Sequence, residues 1–174
     1  MDERQRKQRL TIIIVVTAIA SVFIVPLVAN RFDDDDSNGK GGVGADQVAV
    51  VVYQFNDASV APEYHRSYTV TVREGQAQLV VYSYDETLHD VTEPIDAALW
   101  QRTVDTALGF ADAESVTNNG CTGATSEELS VLGPDDQSLF EVFIDNCDGG
   151  GANVEAAVGE VLPLFDLDTL LATG

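Results

Sequence analysis

A stretch of twenty residues without a charge, residues 10–29, divides this chain into parts that must fold in different surroundings. As a helix it would be about 30 Å long, which is the thickness of the hydrocarbon core of a bilayer. A basic tail, residues 1–9, precedes the stretch, and four consecutive aspartates, residues 33–36, follow it. The positive-inside rule therefore predicts a single-pass transmembrane signal anchor with a cytoplasmic N-terminus.

A cleavable signal peptide is the alternative, because it also begins with a basic segment and an apolar core. The uncharged stretch is longer than the usual apolar core of a signal peptide, and bulky Leu27 stands where cleavage favours a small residue. We therefore favour an uncleaved anchor in the cell membrane. Both alternatives place the domain that follows on the extracytoplasmic side.

Residues 30–45 form a polar, glycine-rich segment that cannot bury enough apolar surface to fold alone, which predicts a flexible acidic linker. Four of its residues match the first positions of a calcium-binding loop: Asp34, Asp36, Asn38 and Gly39. The match fails at the twelfth position, where Ala45 stands in place of the required glutamate. The sequence thus favours a solvated tether over a calcium site.

Residues 46–174 carry the whole net charge of -20. The residues before them are balanced, with six basic and six acidic side chains, whereas residues 46–174 contain 23 acidic residues, three arginines and no lysine. Such a surface repels phosphate groups, which excludes sequence-independent binding of nucleic acid. High-salt surroundings would also favour this acidity, so composition alone leaves open whether the charge marks a binding face.

The same residues are predicted to form one α+β domain. Strand-like runs occupy residues 47–55, 67–73, 77–84, 128–132 and 139–145. The first run is apolar enough for a strand buried on both faces, and a glycine turn at residues 74–76 predicts a hairpin between the second and third.

Helical spacing runs from Thr92 to Gly109 and begins again after Asn153, up to Pro163, with a short apolar tail capped by Asp166. A turn at residues 133–136 joins the last two strands into a second hairpin. The predicted order is βββαββα, an antiparallel sheet packed with two helices.

The two cysteines, Cys121 and Cys147, flank the second hairpin. Because the two strands of a hairpin return to the same end, their flanks lie close enough for a disulfide. The alternative, a redox-active pair, lacks Cys-x-x-Cys spacing and a neighbouring basic residue. Export to an oxidising compartment agrees with a structural disulfide.

The sequence contains no nucleophile elbow, phosphate loop, dinucleotide-binding glycine motif or His-Glu-x-x-His motif, and we predict no catalytic residue, cofactor or metal. His65 and His89 would form a metal site or an acid–base pair only if the first hairpin brought them together with acidic neighbours. Those neighbours are Glu63, Asp85, Glu86 and Asp90. Exposed loop histidines are the favoured interpretation.

Six aromatic residues gather on the first three strands and their loops: Tyr53, Phe55, Tyr64, Tyr68, Tyr82 and Tyr84. Most are expected in the core, and any that are exposed would suit a protein-binding surface. We therefore expect a non-enzymatic, membrane-anchored protein-interaction domain, an accessory subunit of a larger membrane or envelope complex. The alternatives are an exported module that binds a small ligand or a divalent cation, and an enzyme of unassigned class.

We expect the intact protein to contain no free thiol. Closing the loop between the two cysteines should stabilise the fold by about 3 to 4 kcal/mol, because it restricts the unfolded chain. Ellman titration of the denatured, unreduced full-length protein should detect no thiol, and two titratable thiols would contradict the disulfide.

Overall fold

The computed structural model describes residues 42–117, 123–147 and 151–172. In these ranges no helix has the length and apolar character needed to cross a membrane. The predicted anchor at residues 10–29, the calcium-like residues 34–39 and Cys121 lie outside the described ranges. The anchor, the linker and the disulfide therefore remain predictions.

Six strands form one antiparallel sheet in the described residues: β1 (Val50–Asn56), β2 (Ser67–Arg73), β3 (Gln76–Ser83), β4 (Glu86–Pro94), β5 (Ser126–Leu132) and β6 (Ser138–Asp145). Their order in space is β4-β3-β2-β1-β5-β6. β1 lies between β2 and β5 and pairs with both. The predicted α+β class with an antiparallel sheet is confirmed.

Both predicted hairpins are present. The β2–β3 turn contains Gly75 at a φ of 86°, a left-handed conformation that glycine adopts at least cost. The β5–β6 turn, Pro134–Asp136, has left-handed backbone at Asp135 and Asp136, with φ values of 63° and 58°. Aspartate tolerates this conformation better than most residues because its short polar side chain can bond to nearby backbone.

The predicted order βββαββα is wrong by one strand, since β4 follows β3 after a turn at Tyr84 and Asp85. β4 has no clear apolar alternation, and Leu88 and Val91 are its only large aliphatic residues. It lies at the edge of the sheet, where one side of a strand faces no neighbouring strand and charged residues are common. This explains why its sequence resembles a loop.

Helix α1 (Ala97–Leu108) begins later than predicted, because residues 92–94 belong to β4. Its N-cap is Asp96, whose Oδ1 accepts a hydrogen bond from the backbone N–H of Leu99 at 2.7 Å. The predicted end at Gly109 is confirmed.

The second predicted helix is divided into two 3-10 helices, Val154–Val158 and Leu162–Leu164, and the predicted apolar tail forms helix α2 (Leu167–Ala172). Gly159 and Pro163 interrupt the helical path, and such short segments commonly adopt the tighter 3-10 form. The predicted cap of the tail is confirmed, as Asp166 Oδ1 accepts the N–H of Thr169 at 3.4 Å.

The helical segments pack on one face of the sheet and bury a core of alternating strand residues. Val51, Val70 and Leu79 on this face have no exposed area. On the opposite face of β1, Val52 and Gln54 are only half-buried. The prediction that β1 is buried on both faces is therefore correct only at Val50 and Val51, because the helices cover one face.

Two neighbouring valines of β3 test this assignment of faces. We expect Val81→Ala, in the core, to lower the free energy of unfolding by about 2 kcal/mol, through lost burial and a cavity. Val80→Ala, on the opposite face, should cost less than about half as much. Chemical denaturation measures both changes, and equal losses would contradict the assignment.

Candidate functional site

Two continuous lines of side chains cross the middle of the sheet on the face opposite the helices. The strand registers place one line as Asp90, Val80, Thr69, Gln54, Glu128 and Phe143. They place the other as Thr92, Gln78, Thr71, Val52, Ser130 and Glu141. We call these residues the open face.

The middle of the open face carries no charge. None of the residues of β1, β2 and β3 is acidic, although residues 46–174 contain 23 acidic residues. The half-buried middle residues, which we call the central strip, are Val52, Gln54, Thr69, Thr71, Gln78 and Val80. The carboxylates of the two lines lie on the outer strands β4, β5 and β6, and we call Asp90, Glu128 and Glu141 the acidic flanks.

Hydrogen bonds hold several polar side chains of this face in place. Gln78 Nε2 donates to Asp90 Oδ1 at 2.8 Å, and Ser130 Oγ donates to Glu128 Oε1 at 3.1 Å. Both donors are neutral, so they orient these two carboxylates without cancelling their charge. The central strip is thus a neutral surface between two anionic borders.

Arg73, at the end of β2, is the single basic residue of β1, β2 and β3. Its guanidinium lies 3.8 Å from the carboxylate of Asp136 in the β5–β6 turn. Both side chains are largely exposed, so the ion pair contributes little stability. It leaves the central strip itself without a cation.

His65 is buried, with 6% of its area exposed, so the prediction of an exposed loop histidine is wrong here. Its ring stacks on that of Tyr84, with centroids 4.1 Å apart. Nδ1 of His65 accepts the backbone N–H of Tyr84 at 3.2 Å, and Nε2 lies 3.4 Å from Oγ of Ser67. His65 therefore fastens the loop before β2 to the β3–β4 turn.

His89 lies on β4 opposite Val81, and not in a loop as predicted. In residues 42–117, 123–147 and 151–172, no group of three His, Cys, Asp or Glu side chains is arranged to hold a metal ion. The two ring nitrogens of His65 face Tyr84 and Ser67, as described above. The alternative metal site at this end of the hairpin thus gains no support from these residues.

A polar cluster lies under the helical segments. Tyr53 and Tyr68 are 1% and 5% exposed, and the hydroxyl of Tyr68 donates to Glu155 Oε1 at 3.1 Å. Burial raises the pKa of both phenols above the ordinary value, and the nearby charges of Glu127 and Glu155 raise them further. These tyrosines remain protonated at neutral pH and pack in the hydrophobic core.

The other aromatic residues are divided between core and surface. Phe55 stacks on the core residue Tyr68, with ring centroids 5.3 Å apart, and Tyr82 is half-buried. Tyr64 and Tyr84 are exposed, but both lie in loops at one end of the sheet. The aromatic cluster predicted from the sequence is therefore not one continuous binding surface.

The sequence did not identify the open face. Two signals of this face are nevertheless present in the sequence. Residues 67–73 alternate, so that Thr69 and Thr71 lie on the face opposite the core, and β1, β2 and β3 contain no acidic residue. The two lines emerge only when the registers of all six strands are known.

Comparison with known proteins found no family model that matches the chain, no matching curated protein and no matching solved structure. The open face is therefore interpreted from its own chemistry.

The buried phenols predict a loss of stability at high pH. In the unfolded chain they release their protons above about pH 10, whereas the raised pKa values keep them protonated in the folded state. The folded state then binds more protons, so stability falls as pH rises, by about 1.4 kcal/mol per pH unit for each phenol.

Chemical denaturation at intervals from about pH 9 to about pH 11.5 would measure this slope. We expect Tyr68→Phe to make the slope shallower by about 1.4 kcal/mol per pH unit. Tyr64→Phe is the matched control, because the Tyr64 side chain is 72% exposed, and it should leave the slope unchanged. A Tyr68→Phe slope equal to that of the parent would refute the assignment.

Proposed function

We propose that residues 46–174 are a non-enzymatic domain that binds another protein through the open face. The observation that carries this proposal is the neutral central strip on a domain with a net charge of -20. Protein interfaces are typically depleted of charge at their centre and polar at their rim. The central strip and the acidic flanks have this arrangement.

The dimensions of the open face support a protein ligand. Six strands about 4.8 Å apart extend over about 24 Å, and seven residues of a strand extend over about 23 Å. The resulting area of about 550 Å², before side-chain relief is added, approaches the roughly 800 Å² that one partner buries in a standard protein interface. A flat surface of this size offers a small molecule little enclosure.

Membrane attachment belongs to the same proposal. Residues 10–29 would act as an uncleaved anchor, and residues 30–45 would tether the domain on the extracytoplasmic side. A flexible tether of about 15 residues has a root-mean-square length of about 20 Å, so it would hold the domain close to other membrane proteins. The resulting effective concentration allows a modest interface to suffice for an accessory subunit.

The disulfide between Cys121 and Cys147 completes the proposal. Cys147 follows β6, and its backbone N–H donates to Asp145 Oδ1 at 3.2 Å. Cys121 precedes β5 in the chain, so a bond between them would join the two ends of the β5–β6 hairpin. Such a bond suits a domain exposed to an oxidising compartment.

A substitution in the central strip should abolish partner binding without unfolding the domain. We expect Thr71→Arg to weaken binding at least about tenfold, because it introduces an unpaired charge and added bulk at the centre of the interface. The measurement is affinity purification of the full-length protein from its own membranes in mild detergent, with quantification of any stoichiometric membrane protein.

Thr106→Arg on the exposed surface of α1 is the matched control, and it should retain the partner. Both variants should melt within a few degrees of the parent. Failure of the parent protein to recover any stoichiometric partner, or full retention by Thr71→Arg, would count against the open face as the binding site.

A further inference from the structure

The arrangement of charge on the open face limits which protein can bind there. We propose that its occupant is a folded protein domain whose contact surface has an uncharged centre between two basic borders, and that it is not a second copy of this chain. This inference rests on the proposed function and adds the chemistry and width of the partner.

The spacing of the acidic flanks sets the width. Asp90 on β4 and Glu128 on β5 belong to the same line of side chains and are separated by four strand spacings, about 19 Å. Glu141 on β6 lies one strand further, so its line extends over about 24 Å. An α-helix with its side chains is only about 10 to 12 Å wide. One helix lying along the strands cannot reach both borders. A helix lying across the strands would reach both borders, but it would cover only about half of the roughly 23 Å strand length, whereas the surface of a folded domain covers the whole face.

The charge sets the chemistry of the borders. The described carboxylate contacts on the open face come from the neutral groups of Gln78 and Ser130. A partner with lysine or arginine at both borders would meet these carboxylates at the rim, while its uncharged centre covers the central strip. Rim charges of this kind mainly accelerate association and select the correct partner.

A second copy does not fit the face. Closed dimers are usually related by a two-fold axis, so the same face meets itself. In a face-to-face dimer with aligned strands, the Asp90 border would lie against either its own copy or the border with Glu128 and Glu141, and both are acidic. Each arrangement with aligned strands places like charges together, and in any arrangement the two molecules repel, because each carries a net charge of -20.

Photo-crosslinking in the native membrane tests this inference on the full-length protein. The photoreactive residue p-benzoylphenylalanine replaces Thr71 in the central strip or, as a control, Gln101 on the exposed surface of α1. We expect an adduct with one other protein from position 71 and none from position 101, with mass spectrometry identifying the attached protein.

The acidic flanks are then neutralised together with Asp90→Asn, Glu128→Gln and Glu141→Gln. We expect the yield of the position 71 adduct to fall at least about fivefold. A control with the same change in net charge, Asp105→Asn, Asp112→Asn and Asp168→Asn, lies on exposed positions outside the open face and should leave the yield unchanged. Unchanged melting temperatures establish that both triple variants are folded.

Raising the salt concentration from about 0.1 M to about 1 M shortens the screening length from about 10 Å to about 3 Å and should also reduce the yield. An equal adduct yield from the two triple variants would overturn the proposed basic borders of the partner, and an adduct between two copies of this chain would overturn the proposal that the partner is a different protein. In both cases the open face would still be a protein-binding surface. The absence of any adduct from position 71 would instead overturn the proposed function itself, and this inference with it.

Discussion

The sheet depends on the pairing of β1 with β5. On one side β1 continues the meander of β2, β3 and β4, and on the other it joins the β5–β6 hairpin, which follows α1 in the chain. Asn56 and Ser126, which end this pairing, are 70 residues apart. Closing a loop of that length costs about 4 kcal/mol in chain entropy. Tyr53 on β1 and Leu129 on β5 are paired and fully buried. The burial of each such side chain contributes about 1.5 to 3 kcal/mol to the free energy of unfolding.

This arrangement leaves two edges, and in the described residues each is protected in a different way. Outside β6, Val116 donates its N–H to the carbonyl of Phe143 and accepts the N–H of Asp145, so a short segment covers that edge. β4 instead has a register shift, acidic side chains and Pro94, features that discourage the addition of another strand. Because both edges resist strand addition, neither competes with the open face as the binding surface that we propose.

The sequence predicted those parts of the fold whose signals are local. The turn at Gly75, the alternation of β2 and the helical spacing up to Gly109 each depend on neighbouring residues, and the structure agrees with them. β4 was missed because an edge strand needs few apolar residues, and the last helix was predicted as one piece because periodicity does not show that so short a segment winds as a 3-10 helix. The roles of His65 and the open face depend on contacts between segments distant in sequence, and no local pattern reveals these.

The central strip is uncharged for a local reason, which the overall acidity of residues 46–174 does not explain. Positions 54 and 78 are half-buried and carry glutamine, whereas adaptation to salt would favour glutamate at polar positions that water reaches. Each amide donates a hydrogen bond to an acceptor beside it, Gln54 to Asn56 at 2.7 Å and Gln78 to Asp90 at 2.8 Å. A glutamate carboxylate has no proton to donate and, at position 78, would place a second negative charge beside Asp90. The flank carboxylate therefore requires a neutral donor next to it, so the acidic border and the uncharged centre are two parts of one hydrogen-bonded surface.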